Sequence, residues 1–221
     1  HPSSEVLVVD DGSTDATVAV TRQHVGDRAN LKVLSYSPNR GKGYAVRYGL
    51  ARAEGELVLF SDADLSTPIE EMEKMLAAID QGYDIVIGSR AHQLAEIRKR
   101  QPLYRELAGK FFNLVVRGMV LPDLHDTQCG FKLFRRSAIE PVLGYLRNDG
   151  FAFDVEILAL GRAKGLKILE VPVVWVNSPM SRVRLSAATR AYFDLLDIRR
   201  RAQQLAAGAL PAATGVGLPQ R

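Results

Sequence analysis

Two aspartates separated by one residue, Asp62 and Asp64, are the residues of this sequence best suited to chemistry. They follow an apolar run, residues 57–60, that is typical of a buried parallel strand. Two carboxylates at one strand end are costly unless a positive charge lies between them. Because a divalent cation shared with a phosphate oxygen supplies that charge, the pair predicts a Mg²⁺ or Mn²⁺ site in an enzyme with a phosphorylated substrate. A pair of solvated loop acids is the alternative.

Two other polar motifs follow predicted strands. The first contains Asp10, Asp11 and Ser13, whose carboxylates suit the N–H groups of a base or the hydroxyls of a ribose. Turn and helix-cap chemistry explains part of this motif. The second, residues 39–43, places Lys42 at a helix start, where it can bind an anion or be only the start of a helix. Ligands of open parallel sheets bind beyond the carboxyl ends of the strands, so we expect the three motifs to line one crevice.

Alternating strands and helices predict an α/β fold with a parallel sheet covered by helices. The predicted strands are residues 5–10, 31–36, 57–60, 84–88, 127–135 and 168–176, and Pro172 predicts an edge or a bulge in the last one. The predicted helices are residues 14–25, 42–53, 68–81, 103–120, 136–146, 154–163 and 187–204. We expect one domain over residues 1–207 and a disordered tail over residues 208–221, which are rich in Ala, Gly and Pro.

Composition narrows the protein class. The 221 residues are 47% hydrophobic and 24% charged, which is ordinary for a soluble globular protein. The sequence shows neither a membrane-spanning apolar stretch nor a signal peptide. Its one cysteine, Cys129, cannot form an internal disulfide, which fits a reducing compartment. The net charge of +4 is too modest to indicate nucleic acid, and two basic clusters, at residues 98–105 and 182–201, are either solvated faces or a surface for anionic lipid or phosphate.

The motifs together resemble a known family. Residues 8–15, 39–43 and 61–64 are similar to the family 2 glycosyltransferases of the GT-A fold, a Rossmann-like mixed sheet flanked by helices that binds nucleotide-diphospho-sugars. Residues 126–134, 151–156 and 170–173 resemble its dolichyl-phosphate glucosyltransferase branch, which is related to the dolichyl-phosphate mannose synthases. The resemblance covers about residues 5–200. Members of this family begin with a further strand and helix, so we expect the domain to be N-terminally incomplete.

The resemblance implies a role for individual residues. It implies that Asp62 and Asp64 bind the metal and the sugar nucleotide and that Asp11 contacts the nucleoside. The remaining donor or acceptor contacts that it implies are Asp10, Ser13, Lys42, Arg90, Arg105, Gln128, Arg182 and Arg184. Of these, Asp62, Asp64 and Arg90 are the implied catalytic residues. For each arginine, a simple surface charge is the alternative.

The implied reaction is inverting transfer of a hexose, glucose from UDP-glucose, to a polyprenyl phosphate. A phosphate monoester is already anionic, so it needs little help from a general base. Asp126, Asp154 and Glu156 are the acids left for a supporting role, and Glu156 could instead only orient an Arg or Lys.

Three other functions remain open. They are transfer to a non-lipid acceptor, mannose transfer from GDP-mannose, and a non-catalytic remnant that binds nucleotide or membrane. The apolar positions of the helix predicted at residues 103–120 fit either a membrane interface or core packing. A lipid acceptor favours a peripheral membrane protein at the cytoplasmic face, with no nucleic-acid partner and an undetermined oligomeric state.

Overall fold

A computed structural model describes residues 4–99, 101–177 and 185–212. The strands of these residues are β1 Val6–Asp10, β2 Leu31–Ser35, β3 Leu57–Ser61, β4 Ile85–Ser89, β5 Glu96–Lys99, β6 Phe131–Arg135, β7 Ile168–Pro172 and β8 Val174–Val176. The α-helices are α1 Thr17–Val25, α2 Lys42–Leu50, α3 Met72–Asp80, α4 Leu103–Met119, α5 Arg136–Leu143, α6 Phe153–Ala163 and α7 Leu185–Ala206, and a short 3-10 helix, Ile69–Glu71, precedes α3.

The main sheet is mixed and has the strand order β3-β6-β4-β7. Strand β6 runs antiparallel to both β3 and β4, whereas β7 is parallel to β4. The expectation of a parallel sheet from local alternation was therefore wrong at its centre. Alternation reports only neighbours in sequence, and β6 arrives from the second half of the chain. The mixed sheet flanked by helices that the family resemblance implies is confirmed.

The order of the strands brings three chain segments to one edge of the sheet. The carboxyl ends of β3 and β4 point the same way as the amino end of the antiparallel β6, and Ser61 pairs directly with Phe131. The residues that follow β3, follow β4 and precede β6 are therefore neighbours. Asp62, Arg90 and Gln128 belong to these three segments.

Both faces of the main sheet are covered. Ile85 and Ile87 of β4 point into the larger core beneath α5, α6 and α7, whereas Val86 between them points into the smaller core beneath α3. This alternation is the two-residue period of a strand buried on both faces. Among the described residues, no helix combines the length and the apolarity that crossing a bilayer requires.

Two short parallel pairs, β1-β2 and β5-β8, flank the main sheet. Strand β5 was not predicted, because its sequence Glu-Ile-Arg-Lys is mostly charged and only Ile97 is half-buried. The predicted strand over residues 168–176 is divided after Pro172, and β7 occupies an edge of the main sheet as expected of a strand with a proline.

Some helix boundaries also differ from the predictions. Helix α1 begins three residues later than expected, and α2 ends at Leu50 instead of continuing to residue 53. Within the predicted tail, Leu210 packs against the larger core. Residues 213–221 lie outside the described part of the chain.

A buried ion pair attaches α7 to the rest of the fold. Arg201 and Glu156 are 3% and 1% exposed, and the guanidinium donates hydrogen bonds to the Glu156 carboxylate and to the carbonyl of Tyr145. The same carboxylate accepts the backbone N–H groups of Arg147 and Asn148 at 2.9–3.0 Å. Glu156 therefore orients an arginine and fixes the loop between α5 and α6, the second of the two roles considered from the sequence.

Replacing Arg201 with Met should destabilise the protein by about 3 kcal/mol, because the buried Glu156 carboxylate loses its cation. Urea unfolding followed by circular dichroism measures this loss. Arg200→Met is the matched control, since Arg200 pairs with Asp197 at the surface, where such pairs contribute at most about 1 kcal/mol. Equal midpoints for the two variants would contradict the prediction.

Candidate active site

The turn after β1 is organised by Asp10. Its buried carboxylate accepts the Ser35 hydroxyl at 2.9 Å and the Ser13 backbone N–H at 3.2 Å. Burial alone would raise the pKa of Asp10, but the hydrogen bonds from Ser13 and Ser35 outweigh it and hold the pKa below its usual value. Asp10 and Ser13, both predicted to bind the donor, are thus engaged with each other in shaping the turn.

Asp11 joins the turn after β1, the first loop, to residues 39–43, the second loop. Its carboxylate accepts the Tyr36 hydroxyl at 2.9 Å and the backbone N–H groups of Arg40 and Gly41 at 2.7 and 2.9 Å. Its carbonyl accepts the side-chain amide of Asn39 at 2.7 Å. The predicted convergence of the first two motifs is therefore present in the fold.

The second loop is seated on the loop between α5 and α6. A Cβ atom at Gly41 or Gly43 would collide with the backbone of Asp149 or Asn148, so a larger residue does not fit at either position. The Gly43 N–H donates to the Asp149 carbonyl at 2.9 Å. The buried Arg47 donates to the Asp149 carboxylate at 2.6 Å, which attaches the last turn of α2 to the same loop.

The side chain of Lys42 extends from the second loop to the aspartate pair. Its amino group lies 2.8 Å from Oδ1 of Asp62 and 5.7 and 5.8 Å from the rings of Phe60 and Phe153. Burial alone would lower the pKa of Lys42, but the carboxylates of Asp62 and Asp154 outweigh it and raise the pKa. The third motif thereby joins the first two, as the sequence predicted.

A second lysine, Lys132, lies beneath the site and was not among the predicted site residues. It is fully buried in β6 and donates to Asp154 at 2.5 Å and to the carbonyl of Cys129 at 2.6 Å. Burial raises the pKa of Asp154 above its usual value, even though Lys132 and Lys42 act in the opposite direction. The available signal was a lone lysine inside the apolar strand sequence of residues 131–135.

The two aspartates of the pair have different environments. The Asp62 backbone N–H donates to the Gly130 carbonyl at 2.9 Å, which places its carboxylate at the sheet edge. Asp64 is exposed and accepts the Ser66 N–H at 3.0 Å, and Leu65 between them has a left-handed φ of 49°. This turn leaves Asp64 exposed and Asp62 half-buried. The buried Ser66 hydroxyl beside them has no hydrogen-bond partner.

These residues fit a divalent cation whose coordination is completed by a ligand. The described residues contain no group of three or more His, Cys, Asp and Glu side chains that could hold a metal. Mg²⁺ needs only one or two carboxylates when substrate phosphates supply further oxygens. Asp62 and Asp64 meet that requirement.

Arg90 is fixed at the end of β4 by Asp126. Its Nε and Nη2 donate to the two carboxylate oxygens at 2.7 and 2.8 Å, and its backbone N–H donates at 2.9 Å. Burial alone would raise the pKa of Asp126, but the guanidinium outweighs it and holds the pKa below its usual value. The Asp126 N–H in turn donates to Glu170 at 2.7 Å, and the guanidinium carbon lies 5.5 Å from the Trp175 ring centroid. Arg90 is thus an oriented cation at the same edge of the sheet as the aspartate pair, one strand beyond β6.

The remaining predicted residues are placed less centrally. Gln128 is half-buried in the turn that precedes β6. Arg105 is half-buried in the first turn of α4, with its guanidinium 5.9 Å from the Tyr104 ring. Arg182 and Arg184 lie outside the described residues.

Replacing Gly130 with Ala should displace the Asp62 carboxyl group, because a Cβ atom there would lie well within 3.0 Å of it. If Asp62 binds the metal and the sugar nucleotide, as the resemblance implies, binding of UDP with Mn²⁺ should weaken about tenfold or more in isothermal titration calorimetry, while the fold remains intact. Gly118→Ala in α4 is the control, since nothing lies within 4 Å of that position. Unchanged binding in the Gly130 variant would show that Asp62 does not need its present orientation.

Solved structures share this fold. Glucosyl-3-phosphoglycerate synthase from Mycobacterium tuberculosis, solved with UDP, matches with a TM-score of 0.57 at 19% identity, covering 93% of this chain and 69% of that one. Mannosyl-3-phosphoglycerate synthase from Rubrobacter xylanophilus matches with a TM-score of 0.56 at 18% identity, covering 98% and 68%. These similarities confirm the GT-A fold predicted from the motifs.

Relatives at higher identity are named dolichyl-phosphate beta-glucosyltransferase. One from Trichomonas vaginalis is 35% identical and covers 88% of this chain and 59% of its own. Those from Saccharomyces cerevisiae and Homo sapiens are 35% and 34% identical, covering 88% and 81% of this chain and 64% and 58% of their own. The chain thus spans about 60% of the length of the curated relatives it matches.

The sequence profile of one family, "Glycosyl transferase family 2", matches residues 1–143. That span contains the three loops that converge on Asp62. Through this match, the chain belongs to glycosyl transferase family 2.

Proposed function

We propose that this protein transfers glucose from UDP-glucose to a polyprenyl phosphate of the dolichyl type, with inversion and with Mg²⁺ or Mn²⁺. One observation carries the proposal: Lys42 is paired with Asp62 after β3, and Arg90 follows β4 at the same edge of the sheet. This edge offers two carboxylates for a metal and two cations for phosphate groups. The names of the relatives support glucose and a dolichyl phosphate acceptor.

Asp62 and Asp64 are the residues that would hold the metal ion. When bound, the ion neutralises charge that develops on the nucleotide diphosphate as it leaves. Lys42 lies at the same edge, and we propose that it binds a phosphate oxygen. We propose that the turn containing Asp11 contacts the nucleoside. The hydrogen bonds that Asp11 accepts from the loop at residues 39–43 hold this turn next to Lys42.

Arg90 is the residue we propose for the acceptor phosphate. Its two hydrogen bonds to Asp126 fix the guanidinium plane before any ligand arrives, so little conformational entropy is lost when it binds an anion. Arg105 of α4 is proposed to contribute further charge, as are Arg182 and Arg184, which lie outside the described residues.

The acids near the site favour a mechanism without a protein general base. Asp126, Asp154 and Glu156 are 1–3% exposed, and each accepts hydrogen bonds from an arginine or a lysine. Carboxylates held in this way support cations instead of accepting a proton from a substrate. The acceptor phosphate is already ionised, and in a single displacement its oxygen attacks the anomeric carbon as the diphosphate departs.

The protein also carries a surface suited to a lipid acceptor. Phe112 and Val116 of α4 are buried, but five large apolar side chains of the same helix are 59–72% exposed: Leu103, Tyr104, Leu107, Phe111 and Leu114. On α7, Phe193 and Leu196 are 77% and 60% exposed, next to Tyr192, whose ring centroid lies 6.2 Å from that of Phe111. We define the five exposed residues of α4 together with Phe193 and Leu196 as the apolar face.

We propose that the apolar face lies in the interface of an anionic bilayer. Exposed basic residues lie on the same two helices, namely Lys110 of α4, which pairs with Glu106, and Arg190 of α7. Apolar side chains bordered by cations are typical of interfacial helices. Asn113 of α4 accepts a hydrogen bond from the Thr127 hydroxyl at 3.3 Å. Thr127 follows Asp126, the partner of Arg90, so α4 lies next to the proposed acceptor side. Cys129 is buried and unpaired, which agrees with the cytoplasmic face of a membrane.

Replacing Asp64 with Asn should reduce transfer of radiolabelled glucose into extractable lipid by about 100-fold or more, because the metal loses a charged ligand. The assay contains UDP-glucose, GDP-mannose in a parallel tube, dolichyl phosphate and Mn²⁺. The exposed Asp27→Asn variant is the charge-matched control. An unchanged rate for Asp64→Asn, or no transfer by the unaltered protein from either donor, would overturn the proposed function.

The double variant Leu107→Glu with Phe111→Glu should no longer float with liposomes containing phosphatidylserine, whereas the unaltered protein should float. Insertion of the apolar face into the interface would bury the two added charges, which opposes binding. Val20→Glu, at a position 48% exposed on α1, is the control for an added acid elsewhere. Flotation of the double variant, or failure of the unaltered protein to float, would show that the apolar face does not bind the membrane.

A further inference from the structure

The carboxylate of Asp62 has two competing partners, the amino group of Lys42 and the proposed metal ion. Lys42 is paired with its Oδ1 at 2.8 Å, and the same residue is one of the two that would hold a metal ion. The two side chains are 36% and 32% exposed, so the pair lies at the rim of the site and is accessible to ions. A cation bound to Asp62 must therefore share the carboxylate with Lys42 or displace it.

The described residues around the pair offer little compensation for that competition. Asp64 is the second carboxylate, and no group of three or more metal-binding side chains is found in the described part of the chain. A divalent cation would thus complete its coordination with oxygens of the nucleotide diphosphate. Those oxygens are also the natural alternative partners for an ammonium group.

The backbone of Lys42 is fixed, but its amino group is not. Gly41 and Gly43 on either side are packed against the loop at residues 148–149, so the Cα position is set by the fold. The four-carbon side chain ends at the partly exposed rim, where a lysine can exchange one anion for another. The contrast with Lys132 is clear, because that amino group is buried and bonded to Asp154 and a carbonyl.

We propose that Lys42 is a place-holding cation that competes with the metal for Asp62 and moves to the diphosphate when the nucleotide binds. This inference rests on the proposed function and deepens it, since it assigns a binding order to the site. The metal binds weakly to the protein alone, and nucleotide binding removes the competitor. Metal and nucleotide are therefore positively coupled, and by linkage each raises the affinity for the other.

The inference makes a prediction of opposite signs for Lys42→Met. The Mn²⁺ dissociation constant without nucleotide should fall about three- to fivefold, the scale of a partly exposed ion pair. The UDP dissociation constant at saturating Mn²⁺ should rise about tenfold or more, because a phosphate contact is lost. A purely structural role of Lys42 would weaken both, so the pair of signs distinguishes the two explanations.

Mn²⁺ binding is measured by electron paramagnetic resonance of the free ion, with and without UDP, and UDP binding by calorimetry. Lys164→Met, a surface lysine 4.8 Å from the Tyr145 ring, controls for the loss of one positive charge. Asp62→Asn in the Lys42→Met background should abolish the gain in Mn²⁺ affinity. Thermal unfolding of each variant verifies that it is folded.

Several results would overturn the inference. These are Mn²⁺ affinity without nucleotide that is unchanged or weaker in Lys42→Met, an equal gain in Lys164→Met, and no Mn²⁺ binding to any variant even with UDP. The proposed function fails separately. If the opposite signs are observed but no glucose is transferred to dolichyl phosphate, the inference stands and the acceptor assignment does not.

Discussion

The buried pair of Lys132 and Asp154 is the constraint on which this site depends. Lys132 lies in the middle strand of the main sheet, opposite Phe60 on β3 and Ile87 on β4, and has no exposure to solvent. A charge in that position is tolerated only with an opposite charge and hydrogen-bond acceptors, which Asp154 and the Cys129 carbonyl supply. Because Asp154 belongs to α6, the pair sets where that helix starts. The loop before α6 then seats the glycines on either side of Lys42.

The site separates its charges by depth. Asp126, Asp154 and Glu156 are buried, and each fixes a cation from below or behind. Asp64 and, in part, Asp62 and Lys42 reach solvent. Low effective dielectric makes the buried pairs strong and slow to exchange, whereas solvent weakens the pair at the rim. The same residue types therefore act as supports at one depth and as exchangeable ligands at another.

Sequence reasoning found the parts of the site that are local and missed those that depend on long-range pairing. The three loops were identified because strand, turn and helix signals around Asp10, Asn39 and Asp62 lie next to one another in the chain. The insertion of β6 between β3 and β4 was not foreseen, since no local pattern shows which strands pair. Lys132 was missed for the same reason, because its importance comes from burial in that central strand. The two roles left open for Glu156 could be separated only when Arg201, 45 residues later, was found beside it.

The contact between Gly130 and Asp62 also has a consequence for the order of events during synthesis. The two residues are about 70 positions apart, so the turn that carries Asp62 and Asp64 leaves the ribosome well before the strand that holds it in place. A nascent chain that ends before residue 131 lacks the centre of its main sheet, with β3 and β4 unpaired to each other. Long-range strand insertion of this kind is slow and leaves apolar edges exposed. Until β6 is synthesised, β3 and β4 therefore lack the strand that pairs with both, and the growing chain needs protection from aggregation during that interval.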